Sequence, residues 1–120
     1  MHYITILLLL FCILHSKTPY ELGKDLYVKK ACYSCHGNKL EGLNQYPHLA
    51  NRAKGYMNYK LKYFKSGKAD TQQQEMMIVF AQSLSDDDIE NLTTYMYEYV
   101  EEESAERYDD SFQAEGDGGS

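Results

Sequence analysis

The residues most able to do chemistry are Cys32-Tyr33-Ser34-Cys35-His36. Two thiols three positions apart, followed at once by an imidazole, form a C-x-x-C-H motif, which reads as covalent attachment of a c-type haem. Each thiol adds to one vinyl group, and the adjacent histidine is thereby held where a ring nitrogen can bind the iron. The same letters also occur as a thioredoxin-like redox pair, as half of a zinc site, or as an ordinary disulfide. A redox pair of that kind calls for a strand before the motif, whereas a helix is expected here. Zinc calls for a second ligand pair, and downstream of residue 16 only His36 and His48 remain as histidines.

A haem iron held by one histidine needs a sixth ligand, or keeps an open position suited to gas sensing or peroxidase-like chemistry. The candidates are His48, Met57, Met76, Met77 and Met96. Met57 and Met96 fall on periodic helix faces, where methionine more often fills a core. His48 is too near His36 along the chain to reach the opposite haem face easily. Met76 and Met77 lie in the connection before the last helix, far enough away to cover the other side of the ring. A thioether ligand is soft and neutral and favours reduced iron, and filling both axial sites suits outer-sphere electron transfer.

Several elements must position these groups. Tyr20 to Ala31 (YELGKDLYVKKA) places Leu22 with Leu26, and Gly23 with Tyr27, in adjacent rows of a helix that starts after Thr18 and Pro19. Gly37, Asn38, Gly42 and Pro47 punctuate an aperiodic stretch that reads as a loop wrapped around something. Ala53 to Ser66 puts Met57, Leu61 and Phe64 on one helical face, with Gly67 as its stop. Ser85 caps the clearest helix, with three aspartates near its positive end and Ile89, Leu92 and Met96 along one side, running to about Glu101.

The whole chain has 120 residues, a formal charge of -6 and 12 tyrosines. It is too short for a multidomain enzyme, and it lacks the sustained basic stripe that would track nucleic acid. Ile4 to Leu14 is an apolar run of signal-peptide length, too short for a stable membrane anchor. Residues 1–16 are therefore expected to form an export signal, although Leu14 is larger than the residue usual before a cut after Ser16. Cys12 lies inside that run behind the bulky Phe11, which disfavours lipid attachment. Residues 17–102 are expected to form the folded domain. Residues 103–120 are acidic and poor in aliphatic side chains, the composition of a disordered tail. Arg52, Lys54, Lys60, Lys62, Lys65 and Lys68 share a stretch without acids, while thirteen acids and one base lie between Asp86 and Asp117.

Taken together, the sequence resembles the class I c-type cytochromes, small monohaem electron carriers of bacterial periplasms. Gly23 and Tyr27 match that family's first helix, CYSCHG its attachment site, Tyr46-Pro47-His48-Leu49-Ala50 its Pro-x-Leu segment, and Leu84-Ser85-Asp86-Asp87-Asp88-Ile89 with Leu92 and Tyr95 its last helix. The resemblance implies an all-α cytochrome c fold, three main helices plus loops wrapped around one covalently attached haem c with its iron. By the family's pattern Cys32 and Cys35 carry the thioethers, His36 is the proximal iron ligand, and Met77 is the distal one with Met76 as second choice. Pro47 supplies the carbonyl that accepts the His36 ring N–H, and Gly23 allows the first helix to cross closely over the last near Leu92 and Tyr95. Asn51 and Arg52 replace the Gly-Gln common after Pro-x-Leu-Ala, Lys60 replaces another Gln, and the acidic tail has no counterpart.

The implied function is one-electron transfer without catalysis, in the periplasm. Partners would be redox proteins such as a quinol-oxidising complex and a terminal oxidase or reductase. The protein would be a monomer, touching the membrane peripherally or through an uncleaved leader. A relay subunit inside a larger oxidoreductase complex is the main alternative, and a five-coordinate haem sensor or peroxidase-like protein a further one. The lysines between 54 and 68 are expected to flank the haem edge and meet acidic partners.

Overall fold

The computed structural model describes residues 3–4 and 16–102. The expected export signal and acidic tail therefore lie almost wholly outside the described residues, as does Cys12. Among the described residues five helices follow in order: α1 (Pro19–Lys29), α2 (Tyr33–His36), α3 (Lys54–Lys65), α4 (Gln72–Gln82) and α5 (Asp86–Tyr97), with no named strand. The fold is all-α, as expected.

Helix α1 begins with a capping box. The Thr18 hydroxyl accepts from the Glu21 amide at 3.2 Å, the Glu21 carboxylate accepts from the Thr18 amide at 3.2 Å, and Pro19 occupies the first turn. Of the two rows proposed for this helix, Gly23 and Tyr27 form the buried one. Leu26 packs at its edge, while Leu22 remains 39% exposed. Helix α5 repeats the device, with Ser85 and Asp88 capping each other and Asp86, Asp87 and Asp88 placed against the positive end of the dipole. It ends at Tyr97, a turn earlier than the expected Glu101.

The main difference from expectation is α4. The stretch holding Met76 and Met77, expected as a connection, is a helix of 11 residues whose Thr71 cap accepts from the Gln74 amide. Its apolar residues form a continuous block, Met76 to Ala81, instead of a stripe, so no 3.6-residue period announces it. Only Ala81 in that helix is fully buried, while Val79 is 72% exposed.

Helix α1 crosses α5 in the most extensive helix pairing, and α3 packs against both α4 and α5. The crossing depends on Gly23, where a Cβ would stand 2.0 Å from the Asn91 carbonyl oxygen and 2.7 Å from Tyr95 Cβ. Tyr27, Leu40, Leu49, Met57, Leu61, Leu84, Ile89, Leu92, Tyr95 and Met96 make up the core, with Cys32 and Met77 packed against its edge. Met57 and Met96 are thus core filling, as their periodic positions predict.

Candidate functional site

The turn that carries the chemistry is built by its own backbone. Helix α2 is a single turn in which the His36 amide donates to the Cys32 carbonyl at 2.9 Å and the Gly37 amide to Tyr33 at 2.9 Å. This winds the CYSCH segment so that His36 is buried while Cys32 and Cys35 stay partly accessible. From α1, the Tyr27 hydroxyl donates to the Gly37 carbonyl at 2.7 Å, tying the end of that turn to the core. Burial holds the Tyr27 phenol well above its ordinary pKa, so it remains a donor throughout the neutral range.

The following loop folds back on the same turn. The Gly42 amide donates to the His36 carbonyl at 2.8 Å, and the Leu40 carbonyl accepts from both Leu49 at 2.8 Å and Ala50 at 3.2 Å. Leu40 is completely buried at φ +56°, a left-handed conformation that a branched side chain accepts only when its surroundings hold it there. The result places the Pro47 carbonyl oxygen 2.8 Å from His36 Nδ1. A carbonyl can only accept, so Nδ1 carries the proton and the neutral ring keeps its lone pair on Nε2. His48, one residue on, is exposed.

The two thiols are unpaired. Burial pushes the Cys32 thiol up to about 11, the opposite of the lowered value that makes a redox-active thiolate. Among the described residues no group of three or more His, Cys, Asp or Glu could hold a metal ion, and a helix precedes the motif. The zinc and thioredoxin-like readings therefore lose their structural requirements. On α4 the two methionines differ, since Met76 is 50% exposed whereas Met77 packs against the core cluster. The donor set fits a covalently bound haem: two thiols within one helical turn, an imidazole with a free Nε2, and a thioether packed inward from another helix.

The family model for cytochrome c matches residues 20–98. The chain belongs to the cytochrome c family. It is 34% identical over 82 residues to cytochrome c-554(547) of Halothiobacillus neapolitanus, covering 62% of this chain and 89% of that protein. It is 32% identical over 65 residues to cytochrome c-554(548) of Halomonas halodenitrificans, covering 53% and 78%. Reduced recombinant cytochrome c4 from Pseudomonas stutzeri superposes with a TM-score of 0.59 at 24% identity, over 68% of this chain and 48% of that one. That likeness is one of fold, and the chain spans about half of that structure's length. As a cytochrome c family member the chain carries covalently bound haem c with its iron, and it is an electron-transfer protein, not an enzyme.

Two sets of contacts in this cytochrome go beyond the sequence reading. Asn51, noted as a departure from the pattern, donates through Nδ2 to the Tyr97 and Tyr99 carbonyls at 3.1 and 2.8 Å, while its amide donates to Met96 at 2.8 Å. It thereby fastens the end of the Pro47 loop to the C-terminus of α5. The α3 lysines are also less free than their sequence suggests: Lys54 pairs with Glu90, Lys60 with Asp70 at 3.4 Å and Lys65 with Asp86 at 3.7 Å. Lys62 and Lys68 have no ion pair among the described residues. No described helix is long and apolar enough to cross a membrane.

Proposed function

We propose that this cytochrome is a one-electron carrier whose haem is attached at Cys32 and Cys35, with His36 Nε2 and the Met77 sulfur as axial ligands. The hydrogen bond from His36 Nδ1 to the Pro47 carbonyl carries the reading, because it selects the tautomer with Nε2 available beside two unpaired thiols. The inward packing of Met77, against the exposure of Met76, favours Met77. A bound haem would supply the ferric–ferrous couple. The chain's part is to keep both ligands in place during the change, which keeps reorganisation small, and to leave no open position for substrate.

The role we assign is in a periplasmic respiratory chain, reached through residues 1–16 as an export signal, with 17–102 as the working domain. A quinol-oxidising complex would be donor and a terminal oxidase or reductase acceptor, in brief encounters of a monomer that is at most peripherally at the membrane. Of the lysines between 54 and 68, Lys62 and Lys68 are the two without an ion pair among the described residues, and we assign them the steering of acidic partners. Charge reversal at Lys62 should flatten the salt dependence of the reduction rate more than reversal at Lys60 or Lys65, whose charges are already offset by Asp70 and Asp86. An unchanged slope in the triple variant would remove the lysines from docking.

The deciding experiment is the visible spectrum of the oxidised and reduced protein. The ferric form should show the weak far-red methionine-to-iron band, and the ferrous form should not bind carbon monoxide. Met77→Ala should abolish the band and admit carbon monoxide, whereas Met76→Ala should leave both unchanged. A parent protein without the band that binds carbon monoxide rapidly would be a sensor or peroxidase-like protein instead.

A further inference from the structure

Gly42 touches two things that must stay in register. Its amide donates to the carbonyl of His36 at 2.8 Å. A Cβ at this position would lie 2.6 Å from the Tyr46 carbonyl oxygen, 2.7 Å from the His48 nitrogen and 2.9 Å from the Pro47 carbonyl carbon. All three are main-chain atoms, on the segment whose carbonyl accepts the His36 ring N–H at 2.8 Å. The far end of a flexible side chain could swing aside, but main chain cannot, so any side chain here has to displace the Pro47 segment.

We infer that Gly42 is a positioning residue for the haem iron: by letting the Pro47 segment lie directly against the turn that carries His36, it sets the length of the His36–Pro47 hydrogen bond and thereby the reduction potential. The inference rests on the proposed role of His36 as iron ligand. A short Nδ1–H to carbonyl bond enriches Nε2 with electron density, which favours ferric iron and lowers the potential. Relief of the contact moves the segment away from Gly42, and so away from the His36 turn that the Gly42 amide holds, which lengthens or bends the 2.8 Å bond and weakens it. Weaker donation from the ring raises the potential.

The test uses the haem-loaded full chain. Gly42 has φ +77°, so Gly42→Ala adds both backbone strain and the contact with Pro47. Gly42→Asn keeps the contact with less strain, since asparagine already stands at φ +51° and +57° in Asn44 and Asn51. Gly67→Ala carries strain alone, at φ +83° with nothing within 4 Å of the added carbon. Both Gly42 variants should shift the potential upward in an equilibrium redox titration, while Gly67→Ala should lower the melting temperature and leave the potential where it was. Folded Gly42 variants with the parental potential, or an equal shift in Gly67→Ala, would overturn the inference.

If neither Gly42 variant takes up haem, hydrogen exchange in the reduced parent protein decides. The Gly42 amide and the His36 Nδ1–H should be released in one opening event with a common rate constant, and separate openings would overturn the coupling. His36→Ala tests the underlying ligand assignment by itself, because loss or retention of the low-spin spectrum there does not depend on Gly42.

Discussion

Asn51 stands at φ +57°, and its side-chain amide donates to the carbonyl of Tyr97, the last residue of α5, and to that of Tyr99 just beyond it. Replacing it by alanine removes two hydrogen bonds and puts a residue with no local polar compensation into a left-handed conformation. The expected loss is about 1–3 kcal/mol, measured as a shift in the urea midpoint at constant slope. Asn51→Gly should lose less, because glycine relieves the backbone while still forfeiting the bonds. At this scale the sequence was readable wherever a residue's chemistry depends on its immediate neighbours in the chain, as in the C-x-x-C-H segment. It was not readable where the partner is distant. Nothing in the local sequence says that Asn51 will meet Tyr97 and Tyr99, that Leu40 will be buried in a left-handed turn, or that Gly42 will lie against Pro47.

Among the elements, the crossing of α1 over α5 is the tightest contact. Tyr27 and Tyr95 lie 5.6 Å apart at that seam, with Tyr20 edge-on to Tyr95 at 5.1 Å. Gly23→Ala would force the two backbones apart. It should cost about 3 kcal/mol or more, or prevent folding, since the clash is with the Asn91 carbonyl and Tyr95 Cβ. Gly55→Ala, inside α3 with open space around it, should stabilise by about 0.5–1 kcal/mol, so thermal melting of the pair separates packing from helix propensity. Helices α1, α3 and α5 were legible because each carries an apolar stripe and, in α1 and α5, a polar start signal. Helix α4 was not, since its exposed Met76, Val79 and Phe80 blur the period. Leu22 misled in the opposite sense, because it lies at the margin of the seam and not within it.

For the molecule as a whole, the tyrosines of the seam predict a response to alkali. Burial raises the Tyr27 phenol far above 10 and the Tyr95 phenol to about 12. In the unfolded chain both ionise near 10, so the folded state holds its protons longer. The stability this confers is fully present below pH 10 and is lost as pH rises through the folded values. Tyr95→Phe should therefore flatten the fall in urea midpoint between pH 9 and 12, and a curve parallel to that of the parent would contradict this.

The α1–α5 crossing also governs the order in which the domain can be assembled. Its two partners are the first and last helices of the described domain, so α1 emerges during synthesis with a glycine-centred face that nothing yet covers. Closing that contact spans nearly the whole domain in sequence, a search whose cost grows only slowly with the length of the intervening chain. Until α5 has been made, the chain holds no counterpart for Gly23, because the Asn91 carbonyl and Tyr95 Cβ that lie against it belong to α5. A truncation that spares every residue around the cysteines but removes α5 would leave that first helix without its partner.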